Sequence, residues 1–142
     1  MSKPLYTAQA HVTGGRTGHG HTTDRQLDLV LRQPEELGGD GEGTNPEQLF
    51  AIGYAACFNT TLTLVAQRTG LSADDATIDS SVSLIPTTDG RFRLGVQMRI
   101  TLPSATDEQA TRLVRTAHQI CPYSNATRNN IDVVLIANGT PL

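Results

Sequence analysis

Two thiols, one arginine among glycines and one glutamate at a helix start are the residues here best suited to chemistry: Cys57, Cys121, Arg16 and Glu47. A cysteine attacks as its thiolate, and a nearby guanidinium favours that form. A carboxylate can hold a guanidinium in one orientation through a bidentate pair. A second thiol can capture a sulfenic acid as a disulfide before it over-oxidises. Together these parts suffice for a thiol peroxidase. Singly, each has a plainer account. A cysteine inside an apolar helix is usually an inert small hydrophobe, and an arginine flanked by glycines is usually a solvated turn residue. No spacing rule joins the four.

The element that must carry Cys57 is a long helix. Asn45 is a natural N-cap and Pro46 suits the first helical position; Thr44 and Glu47 also fit a capping box, which would move the start by one residue. Gly70 supplies the stop, with Leu71 folding back on the last turn. Leu49, Phe50, Ile52, Tyr54, Ala55, Ala56, Cys57, Phe58, Leu62, Leu64 and Val65 go all the way round. A helix apolar on every side is expected to be buried. At roughly 24 residues it would be about 36 Å long.

Around it the chain reads as strands and one further helix. Leu5–Thr13 alternates loosely as a strand, and Gly14-Gly15-Arg16-Thr17-Gly18 is a turn. His19-Gly20-His21 would place both imidazoles on one side of a strand, as a metal site needs, but exposed polar histidines are the simpler account. Gln26–Arg32 is a strand with Leu27, Leu29 and Leu31 on one face, and 34–44 is a loop. Ile78, Val82 and Leu84 alternate with polar residues, Asp89-Gly90 marks a hairpin turn, and Phe92 to Leu102 returns with one apolar and one polar face. Ser104-Ala105-Thr106-Asp107 resembles a capping box ahead of a helical run from Ala110 to Ile120. Pro122 can begin a short helix with Cys121 as its N-cap, and Ile131–Ile136 closes the chain as a strand. Segregated antiparallel groups give an α+β class, with antiparallel sheets packed around a long central buried helix.

The 142 residues point to one domain, 1–142. A net charge of −3 argues against nucleic-acid or anionic-membrane partners. No apolar run looks long enough to cross a bilayer, and the N-terminus lacks a signal peptide's apolar core, so the protein reads as cytoplasmic. In a reducing compartment a cysteine pair is more often catalytic, redox-active or metal-binding than a structural staple.

The stretch from Thr44 to Phe58, TNPEQLFAIGYAACF, closely resembles the signature of the organic hydroperoxide resistance protein family, within the osmotically inducible protein superfamily. Gly14–Gly18 resembles that family's arginine turn, and Cys121-Pro122-Tyr123-Ser124-Asn125-Ala126-Thr127 resembles the segment with its second cysteine. The likeness runs in order along essentially the whole chain; His19-Gly20-His21 departs from it. The resemblance implies a Cys-based reductase of organic or fatty-acid hydroperoxides, an intertwined homodimer, and a lipoylated protein as reductant. It makes Cys57 the peroxidatic cysteine and Cys121 the resolving one, with Arg16 and Glu47 activating the thiol and no cofactor or metal. A thiol redox sensor and a non-enzymatic ligand-binding domain are the competing readings.

One geometric difficulty follows. Glu47 and Cys57 are ten residues apart (57 − 47), hence about 15 Å along a straight helix. One arginine is ill placed to touch both. Either Gly53 allows a kink, or Glu47 serves a site on a partner copy, the arrangement favoured here.

Overall fold

The glycine-flanked arginine occupies the turn of a hairpin. In the computed structural model, which describes residues 2–142, β1 (Ala10–Thr13) pairs antiparallel with β2 (His19–Thr22), Thr13 opposite His19. β3 (Asp28–Val30) lies on the other side of β2, giving the order β1-β2-β3. The chain divides into two units, and this sheet belongs to the first, which runs to Leu49. β1 is shorter than the sequence suggests: Leu5 and Tyr6 lie outside any strand and are exposed. β3 is shorter too, because past Val30 the chain meets a new partner. Leu31 and Thr44 form an isolated parallel bridge, held by Arg32 N–H to the Thr44 carbonyl and Thr44 N–H to the Val30 carbonyl, both 2.9 Å. The bridge brings the 34–44 loop back to the start of the next helix.

That helix, α1, spans Pro46–Arg68. Asn45 is its cap, with Oδ1 accepting from the Gln48 N–H at 2.9 Å. Thr44 does not cap; its hydroxyl donates to Gln48 Oε1. At the far end Gly70 has φ +73, the Leu71 N–H reaches the Ala66 carbonyl and the Gly70 N–H the Gln67 carbonyl. This pair of bonds is the Schellman ending that glycine makes cheap.

The second unit, Phe50–Leu142, holds the apolar core. Its sheet has the order β4-β5-β6-β7: β4 (Thr77–Pro86), β5 (Phe92–Thr101), β6 (Val133–Ala137) and β7 (Thr140–Pro141). β4 and β5 are the expected hairpin. β6 pairs with β5 in parallel, Val96 opposite Val133, so the sheet is mixed rather than antiparallel. A parallel partner needs a crossover, here α2 (Asp107–Ile120) and α3 (Pro122–Thr127). Val96, Met98 and Ile100 of β5 meet Leu113, Val114 and Ala117 of α2 in the core.

Two expectations about helices are corrected. The α2 capping box is Thr106 with Gln109, not Ser104 with Asp107; the Ser104 hydroxyl is drawn to Asp75 instead. And α1 is buried on one side only. Tyr54, Phe58, Leu62, Val65 and Ala66 enter the core, whereas Ile52 is 70% and Leu64 41% exposed. α1 is also long and apolar enough to cross a bilayer by length and composition, contrary to the sequence estimate. Its packing against the sheet of the second unit makes it a core helix.

Candidate active site

The arginine turn is built by close packing of backbone. Gly14 and Gly15 take positive φ, and a Cβ on Gly18 would sit 1.8 Å from the Thr13 carbonyl oxygen. Gly15–Thr17 forms one 3-10 turn, closed by the Thr17 hydroxyl on the Gly14 carbonyl. Arg32, which sequence reasoning passed over, clamps the turn from outside: its Nη1 donates to the carbonyls of Thr17, Gly18 and Leu31. Only the tertiary fold brings it there, so no local signal could have found it.

Arg16, thus held, meets Glu47 in the first turn of α1. Nη1 donates to Oε2 at 2.8 Å and Nη2 to Oε1 at 2.6 Å, a bidentate fork. The pair is partly open to solvent. The guanidinium beside Glu47 holds its carboxyl below the usual carboxylate range, and Glu47 raises Arg16 in return. Both stay charged at neutral pH, so the guanidinium is a fixed, oriented cation.

Cys57 and Cys121 meet in the second unit. Both are free thiols, with the sulfurs 3.7 Å apart. Cys57 lies mid-helix and half-buried; Cys121 is fully buried where α2 ends and α3 begins. A disulfide requires about 2.05 Å between sulfurs, so the pair is positioned to close after a small shift. Burial pushes the Cys57 thiol above its ordinary value, and the Cys121 thiol pushes the same way. The Tyr123 backbone N–H faces Cys57 and pulls in the opposite direction. Tyr123 also escaped sequence reasoning, since its contribution is a backbone donor. Its ring lies 6.0 Å from Phe50 and 5.7 Å from Tyr54. A Cβ on Gly53 would come within 3.2 Å of the Tyr123 hydroxyl, so this glycine makes room for the ring, and α1 runs unbroken through it. A cleft of about 440 Å³ opens beside Tyr123, with Phe50, Phe92, Leu94 and Ile131 as apolar walls and Arg93, Thr127 and Asn130 as polar ones.

Among the four candidates, then, the fold joins Arg16 to Glu47 in the first unit and Cys57 to Cys121 in the second. The histidines go elsewhere. His19 pairs with Asp28 at 2.5 Å, and the rings of His11 and His21 lie 5.6 Å apart. Among the described residues no three ligating side chains converge on one point.

Residues 39–136 match the OsmC-like protein family. The chain is 51% identical over 137 residues to the organic hydroperoxide resistance protein of Xanthomonas axonopodis pv. citri, covering 94% of each. The crystal structure of the organic hydroperoxide resistance protein OhrB of Bacillus subtilis superposes with a TM-score of 0.85 at 43% identity, covering 93% of this chain and 98% of that one. An organic hydroperoxide resistance protein from Legionella pneumophila, described as a predicted redox protein, gives 0.90 at 49% identity, covering 94% and 97%.

Proposed function

The chain belongs to the OsmC-like family and groups there with the organic hydroperoxide resistance proteins, and from that premise we propose that it is a thiol peroxidase for organic hydroperoxides. The observation that carries the proposal is the pair of free thiols 3.7 Å apart. The Cys57 thiolate attacks the distal oxygen of the O–O bond; the alcohol leaves with a proton, and Cys57 becomes a sulfenic acid. The Cys121 sulfur then attacks Cys57, water leaves, and a disulfide remains. A lipoyl dithiol on another cytoplasmic protein takes over that disulfide and restores both thiols.

The chemistry needs a thiolate, and the surroundings of Cys57 within its own unit oppose one. The Arg16–Glu47 fork is the natural source of compensating charge, since a guanidinium beside a thiol favours its ionised form. Glu47 keeps Arg16 extended and oriented. The helix spacing of Glu47 and Cys57 leads to a homodimer in which the fork of one copy serves the thiol of the other. Exposed apolar residues support a covering partner: Val12, Leu27 and Val30 in the first unit, Ile52 and Leu64 on α1.

The apolar walls of the cleft beside Tyr123, formed by Phe50, Phe92, Leu94 and Ile131, favour bulky, apolar substrates. Removing roughly 100 Å² of substrate surface from water contributes about 2.5 kcal/mol, which hydrogen peroxide cannot gain. The test is steady-state turnover of an alkyl hydroperoxide and of hydrogen peroxide with a dithiol reductant. Catalytic efficiency at least tenfold higher on the alkyl substrate is expected. Equal efficiencies count against the cleft. A disulfide that forms but is not turned over points to a redox sensor.

A further inference from the structure

A chain of polar groups that the chemistry above does not use runs through the second unit. His118 Nδ1 lies 2.8 Å from Ser124 Oγ, and Ser124 Oγ lies 2.8 Å from Tyr54 Oη. Tyr54 Oη is 3.2 Å from Thr127 Oγ1, which in turn lies 3.2 Å from the Ser124 carbonyl oxygen. Tyr54 and Ser124 are fully buried, Thr127 is buried, and His118 is the half-buried outer end.

Counting protons fixes the direction of this chain. Each hydroxyl carries one hydrogen, and a carbonyl only accepts. Thr127 gives its hydrogen to the Ser124 carbonyl, so it must accept from Tyr54. Tyr54, its hydrogen spent, accepts from Ser124. Ser124 then accepts from His118. All four bonds are made only if His118 carries a proton on Nδ1. Burial, with the nearby Arg128 cation, holds His118 below its ordinary value, so the ring is neutral at pH 7 and Nε2 is left bare. Arg128 also donates to the His118 carbonyl and to Asn125 Oδ1, bracing the same corner.

The chain ties together the two segments that bear the thiols. Cys121 lies three residues after His118 (121 − 118) and three before Ser124 (124 − 121). Tyr54 lies three residues before Cys57 on α1 (57 − 54). The α2–α3 junction is therefore fastened to α1 beside each cysteine.

We propose that His118, as an Nδ1–H donor acting through Ser124 and Tyr54, is a positioning residue for disulfide formation, holding Cys121 within reach of Cys57. In the peroxidase this is the step in which Cys57 sulfenic acid and the Cys121 thiol give a disulfide and water, and to that extent it rests on the function proposed above. The pairing itself can be measured without peroxide. Protein dithiol and oxidised glutathione equilibrate with protein disulfide and two reduced glutathiones, and the ratio gives the effective concentration of one protein thiol at the other.

His118→Leu and Tyr54→Phe each lower that effective concentration about tenfold, the consequence of leaving buried partners unpaired. His118→Asn, whose amide N–H can stand where Nδ1–H stood, restores it. If His118→Leu does not fold, Tyr54→Phe, which loses a single oxygen, still carries the test. A nitrogen–proton NMR correlation on the wild-type protein reads the neutral His118 as the Nδ1–H tautomer. The Nε2–H tautomer overturns the proposal. So does an unchanged effective concentration in the folded variants, or an equal loss in His118→Asn and His118→Leu. A wild-type protein that forms the disulfide with glutathione but reduces no hydroperoxide sinks the peroxidase and leaves this inference standing.

Discussion

The first unit offers a charge pair between a hairpin turn and a helix start; the second offers a thiol pair against a packed core. The arginine fork is bidentate, partly solvated and ionised at neutral pH. The thiols are close and sheltered, but burial holds Cys57 in its neutral form. Each region has what the other lacks. Shelter keeps two sulfurs close, at the cost of the thiolate. Exposure keeps a cation charged but gives it nothing to attack. On this account neither unit is a catalyst alone, and substitutions in the two should fail in different ways.

The largest contrast concerns the thiols. Cys57→Ser should reduce peroxide turnover on the order of 10⁴-fold or more, because the nucleophile itself is gone. Cys121→Ser should still undergo one oxidation and then strand the sulfenate, which climbs towards sulfinic acid. Mass spectrometry after one equivalent of hydroperoxide separates the two. If both variants lose the first oxidation equally, the division of labour between the thiols is wrong.

Next in size is the arginine. Lys keeps the charge of Arg16 but not the planar fork that Glu47 holds at two points. Alkylation of Cys57 followed against pH should shift to higher pH in Arg16→Lys, and further in Arg16→Ala, slowing the reaction at pH 7 by about tenfold or more. A profile unmoved in both variants removes Arg16 from thiol activation and leaves the two units chemically independent.

The smallest effect should be on stability in the first unit. Arg16 holds the Glu47 carboxyl below its ordinary value. The pair's contribution is therefore present above the unfolded carboxylate range and is lost as pH falls through the lowered folded value. Because solvent screens the pair, it is worth about 1 kcal/mol at neutral pH. Urea unfolding of wild type and Glu47→Gln should differ by that much at pH 7 and converge in acid. A difference that persists in acid would assign the effect to packing.

What the sequence revealed follows the same division between local and distant causes. The α1 boundaries were legible because Asn45, Pro46 and Gly70 act within a turn of themselves. The short helix after Cys121 was legible for the same reason, through Pro122. The α2 start was misplaced by two residues because Ser104 has a tertiary partner in Asp75, which spacing does not reveal. The parallel pairing of β5 and β6 also escaped, since it depends on where a crossover returns. The candidate site divides likewise. Side chains with distinctive chemistry could be picked out by type, but the Tyr123 N–H and the Arg32 clamp could not. One is a backbone donor and the other reaches carbonyls up to fifteen residues away. The solvent-facing stripe of α1 was hidden by its composition: Ile52 and Leu64 are as apolar as the core positions.

The claim that the charge pair and the thiol pair form one site across two copies has a direct test. Inactive Cys57→Ser and inactive Glu47→Ala chains are mixed in equal amounts, unfolded, refolded together and assayed for hydroperoxide reduction. If the fork of one copy serves the thiol of the other, each heterodimer gathers both lesions in one site and leaves the second intact. Random pairing then restores about a quarter of wild-type sites. If Glu47 and Cys57 of the same chain work together, every site keeps a lesion, and no recovery in a mixture shown to contain heterodimers contradicts the shared site.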